Sequence, residues 1–96
     1  VSEVLNSVAN RFDSGATLTH ASARAALAAG LQRIEAGATG VDCAPLAQFD
    51  SSALAVLLAW RRAGDARGIN FEIVNLPAGL ASLARAYGVD NFVDRS

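Results

Sequence analysis

The sequence predicts an α/β domain: a mixed sheet of about four strands with helices mostly on one side, in the order β-β-α-β-α-β-α. Two observations carry this prediction. Extended apolar segments alternate with helical segments, and glycine or proline stands at most of the joins. Strands separated by helices need crossover connections, which imply parallel pairing. A leading hairpin makes the sheet mixed. Ninety-six residues hold one core, so 1–96 reads as a single domain.

Along the chain, "SVANRF" alternates loosely, with Val8, Asn10 and Phe12 on one side, and suits a short strand. "VSEVL" before it is its expected hairpin partner, joined through Asn6 and Ser7. Asp13-Ser14-Gly15 signals a turn. Helical spacing then takes over. Ala23, Ala26, Leu27, Leu31 and Ile34 share one face, with Thr19 or Ser22 able to cap the start and Gly37 able to end it. Gly30 inside this helix costs about 1 kcal/mol relative to alanine and marks an expected close approach to the sheet.

A short strand at 40–43 is closed off by Pro45, and "LAQFD" is read as a loop. The next helix runs from Ser51 or Ser52 to about Ala63, ended by Gly64. Ile69, Phe71 and Ile73 alternate with Asn70, Glu72 and Val74 in a strand over 69–75. Pro77 opens a last helix at a position where its missing N–H is harmless. Leu80, Leu83, Ala84 and Tyr87 form its expected inner face, and Gly88 ends it. "VDNFV" is a tail able to add a short extended piece.

Composition narrows the function classes. The net charge is −1, and the eight basic residues, all arginine, are scattered apart from Arg61-Arg62. No basic stripe for a phosphate backbone exists, so nucleic acid is not an expected partner. The single Cys43 has no disulfide partner and reads as a small buried hydrophobe on a strand. One histidine and one cysteine make no metal site, and no glycine-rich phosphate loop occurs; no cofactor is expected. The apolar run 53–60 is far short of the ~20 residues that span a bilayer, and no secretory leader pattern is present. The expected location is cytoplasmic, without direct membrane insertion.

The informative stretch is "QFDSSALAVLLAWRRAG". Asp50, Ser51 and Ser52 stand at a loop-to-helix junction, where a hydroxyl can accept a bond from a free helix N–H, worth about 1 kcal/mol. The same junction favours an anion, so a phosphoryl group on Ser51 or Ser52 is electrostatically well placed apart from repulsion by Asp50. A hydroxyl there can also bond a partner's backbone. A catalytic serine finds little support. His20 and Asp42 complete a triad only on paper, and no G-x-S-x-G elbow surrounds either serine.

With the element order and "VDCAPLAQFDSSALAVLL" in hand, the chain resembles the STAS domain family, shared by sulphate-transporter tails and anti-sigma factor antagonists. Asp42 matches the acid that ends a strand in that family. Asp50, Ser51, Ser52 and Leu54 match its D-[ST]-[ST]-G-L helix start, with Ala53 in place of the usual glycine. "SGATLTHASARAAL" and "LPAGLASLARAYGVDNFV" are similar to the branch found with bacterial phospholipid-transport ABC systems, the toluene-tolerance or Mla type. That resemblance covers roughly residues 8–93. It implies a non-enzymatic cytoplasmic subunit that binds the ABC transporter ATPase, with its permease, and so lies near the inner membrane. The alternative it implies is an anti-sigma factor antagonist facing a partner kinase. Ser51 aligns with the hydroxyl residue that matters in the transporter branch, and Ser52 with the residue phosphorylated in the antagonists.

The apolar helix fits a contact role. A helix on one side of a sheet buries a stripe of ~100°, and this one is apolar well beyond that. Ser51, Ser52, Ala55, Val56 and Ala59 form the expected partner patch. Trp60 either anchors a partner or folds over neighbouring helices to complete the core. An apolar patch of this kind can also make a homodimer in isolation.

Overall fold

The computed structural model describes residues 10–90. Strands β1 (Arg11–Asp13) and β2 (Thr17–Leu18) lead into helix α1 (Ala23–Glu35). Strands β3 (Gly40–Asp42) and β4 (Gln48–Phe49) lead into α2 (Ser51–Ala66). Strand β5 (Glu72–Val74) and helix α3 (Ala78–Ala86) follow. The main sheet has the order β1-β3-β5, with both pairings parallel, and β2 pairs with β4 in a second, two-stranded parallel ladder. The order 1-3-5 means that both crossovers step in the same direction. Right-handed crossovers then bring α1 and α2 to the same face.

The rungs explain the burial. Phe12, Val41 and Ile73 are aligned across the three strands and all are buried. They share one core with Ile34 of α1, Leu57 and Trp60 of α2, and Leu80 and Ala84 of α3. The alternate rung is Arg11, Gly40 and Glu72, on the other face. There Arg11 Nη2 donates to Glu72 Oε1 at 2.8 Å, spanning the middle strand. Gly40 makes the span possible, because a Cβ on it would stand 2.6 Å from the Glu72 carbonyl oxygen and 3.3 Å from the Arg11 chain.

Several expectations are corrected. The described residues form a three-stranded sheet and a separate ladder, not one sheet of four. β4 lies within the stretch read as a loop, and β2 lies just past the expected turn. Two-residue strands carry no period for the sequence to display. All described pairings are parallel; the hairpin partner "VSEVL", on which the mixed character rested, falls outside the described residues. Gly64 sits inside α2 and does not end it. A Cβ there would stand 2.7 Å from Phe71 Cβ, so the glycine admits β5's approach segment, and Gly68, at φ +74, follows the helix end. Gly30 marks a close approach to a helix and not to the sheet, since its missing Cβ would lie 2.1 Å from Trp60 Nε1. Tyr87, expected inside, is 62% exposed at the end of α3.

Cys43 follows β3 and is buried, its N–H donating to the Val74 carbonyl at 2.9 Å. Burial pushes its thiol up to about 11. Native protein at pH 8 is therefore expected to react with a thiol reagent about 100-fold or more slowly than the unfolded chain. A stopped-flow titration with an aromatic disulfide, with and without denaturant, checks this; equal rates would contradict the burial.

Candidate functional site: the start of α2 and its two flanking grooves

Asp50, not a serine, caps α2. Its backbone is extended (φ −137°), and its Oδ1 accepts the Ser52 N–H at 2.9 Å. Its Oδ2 accepts the His20 N–H at 3.0 Å, so one carboxylate ties the loop before α1 to the first turn of α2. The His20 N–H, the Ser52 N–H and the Ser52 hydroxyl together hold the Asp50 carboxyl below the usual carboxylate range. At the start of α1 the corresponding role is different. Ser22 occupies the cap position but makes no cap bond, and its hydroxyl instead accepts the Thr19 N–H at 3.0 Å.

This arrangement separates the two serines. Ser52 is half-buried and bonded to Asp50. Ser51 is exposed, and its hydroxyl makes no hydrogen bond among the described residues. Of the three residues able to cap the helix, Asp50, Ser51 and Ser52, the acid does so, which leaves Ser51 without a task in the fold.

The other expected contact residues divide by burial. Ala55 is exposed and Ala59 half-buried, so both reach the surface. Val56 is 3% exposed and shows only an edge in a groove beside α1. Trp60 offers no partner surface. Its ring lies in the Gly30 notch and edge-on to Phe12 at 5.0 Å, and its Nε1 donates to the Leu27 carbonyl at 3.2 Å. A bulky ring with one N–H is well satisfied in such a slot, so it completes the core. Ala53 and Leu54 are also buried. The position where the family carries glycine thus faces inward, and the Ala53 methyl does not stand in a partner's way.

Asp42 is not joined to the serines. It ends β3, where its Oδ1 accepts from Asn75 Nδ2 at 2.9 Å and from the Ala44 N–H at 2.9 Å. Asn75 first, then the Ala44 amide, lowers its pKa. Asn75 itself adopts φ +58, a conformation that asparagine tolerates. Asp42 therefore shapes the turn after β3 and the exit of β5.

Two open grooves flank the exposed edge of α2. One, of about 280 Å³, lies between α1 and α2 and is lined by Ala23, Arg24, Leu27, Ser52, Ala55 and Val56. The other, of about 290 Å³, is lined by Ser51, Leu54, Ala55, Leu58, Tyr87 and Val89. Ala55 borders both, while Ser52 faces one and Ser51 the other. Sequence reasoning missed Arg24, Leu27, Tyr87 and Val89, which come from the neighbouring helices and from the chain after α3. The one available signal was Gly88: a helix ending there leaves Tyr87 at its last turn, where a side chain can swing outward.

Among the described residues no helix is long and apolar enough to cross a membrane. No curated protein and no solved structure matches the chain. The sequence pattern of one family, described as "Mlab, STAS domain", matches residues 14–94. The matched span begins just after β1 and includes the Asp50 cap, both serines and both grooves. By that match, this chain belongs to the MlaB-type STAS domain family.

Proposed function

We propose that the chain is a non-enzymatic cytoplasmic subunit that binds the ATPase of an ABC transporter for phospholipid trafficking. In this role it supports the assembly and activity of the ATPase and, through it, outer-membrane lipid asymmetry. It would reach the inner membrane only through the transporter. Membership of the MlaB-type STAS family supports a protein-interaction role. The observation that carries the site is the exposed Ser51 hydroxyl, unused by the fold, beside an apolar groove. A small hydroxyl at that place can bond a partner backbone while neighbouring apolar groups exclude water.

Co-purification of the ATPase from native membranes and cytoplasm, with the parent chain and with Ser51→Arg, tests the proposal. The expected result is capture of the ATPase by the parent chain and its loss with Ser51→Arg, at unchanged thermal stability. Ser52→Ala should retain capture. If the captured protein is instead a kinase and Ser52 is found phosphorylated, the chain is an anti-sigma factor antagonist-type switch and the transporter proposal falls.

A further inference from the structure

The groove between α1 and α2 has a chemical bias that Ser51 does not explain. Its walls are Ala23, Leu27, Ala55 and Val56, and the only charged group lining it is Arg24. Arg24 is exposed, and among the described residues no carboxylate lies within ion-pair distance of it. The acid nearest in sequence to the groove's Ser52, Asp50, has both oxygens engaged by backbone N–H groups. An apolar trough with one arginine in its lining, and no counter-charge for it, suits an occupant that brings apolar groups and a carboxylate together. The trough is open and of modest volume, which fits inserted side chains better than an enclosed small molecule.

We infer that this groove receives an acidic amphipathic segment of the partner protein, with apolar side chains over Ala55 and Val56 and a carboxylate paired with Arg24. The inference rests on the proposed ATPase partnership and names the chemistry of the partner's contact. Arg24 makes a charge-assisted bond at the rim, bidentate where the carboxylate lies flat against the guanidinium. Such a contact acts strongly on the association rate and weakens with salt.

The test is a binding titration between the purified chain and the purified ATPase subunit of its transporter, at low and high salt. Arg24→Glu is expected to weaken binding about tenfold or more and to abolish most of the salt dependence. Arg85→Glu, on α3, should bind as the parent does. Arg24 is exposed on a helix, so circular dichroism should show unchanged folding of the variant. If the parent binds the ATPase and Arg24→Glu binds equally well, the acidic-segment inference is overturned while the partnership stands. If the Arg24 effect appears only with anionic phospholipid vesicles, the groove faces lipid and the inference is overturned. If the parent chain does not bind the ATPase at all, both fall together.

Discussion

Trp60→Ala is expected to destabilise the fold by about 3–5 kcal/mol. The indole is 2% exposed and joins α2 to two other elements: it fills the notch at Gly30 on α1 and donates to the Leu27 carbonyl of the same helix, and it meets the Phe12 ring of β1. Its removal leaves a cavity where α1 and α2 cross, and it also strips the Leu27 carbonyl of its side-chain donor. Domains have roughly 5–15 kcal/mol of stability in total, so the variant loses a large share of it. Urea and thermal unfolding followed by circular dichroism measure the change, with a midpoint fall of at least about 12 °C expected. A loss below about 1.5 kcal/mol would mean that α1 closes over the gap, and that the notch is not a fixed feature.

Gly30→Ala is the second large effect, and its sign runs against helix propensity. Alanine is the better helix former by about 1 kcal/mol, so on an exposed helix face the change would stabilise. Here the added methyl would lie 2.1 Å from Trp60 Nε1 and 2.2 Å from Cε2, inside the van der Waals radii of both. The indole also packs against the Phe12 ring at 5.0 Å and is bonded through Nε1 to the Leu27 carbonyl, so it cannot retreat freely. Either the helices part or the ring leaves its rotamer, and a net cost of about 1–3 kcal/mol is expected. The double variant Gly30→Ala/Trp60→Phe should lose less than the sum of the two single changes, because the smaller ring vacates the space the methyl takes. Strict additivity in that cycle would refute the clash.

These two residues also show what the sequence could and could not disclose. The apolar period of α1 and the alternation of Phe71, Glu72 and Ile73 were legible because one face of each element is buried. Pairing between helices leaves no such trace. Gly30 announced a close approach but not its partner, which stands thirty residues later. Trp60 had two readings, and only the notch decides between them. The cap on α2 was equally undetermined, since Asp50, Ser51 and Ser52 are all competent. What selects the acid is the His20 N–H, brought there by the β2–β4 ladder, whose two-residue strands have no pattern of their own. The candidate site was thus half visible. Ser51 and Ala55 follow from one helix, but Arg24 and Tyr87 need the fold to bring them alongside.

The trough between α1 and α2 is fastened at two places along its length. Toward one end, the Asp50 carboxylate holds the His20 amide and the Ser52 amide together. Farther along, Trp60 is locked into Gly30 and bonded to Leu27. Its width is therefore set during folding, and little conformational entropy remains to be lost when the trough is filled. A groove braced in this way selects by shape. It will discriminate between side chains of different bulk far more sharply than a surface that remodels around whatever arrives.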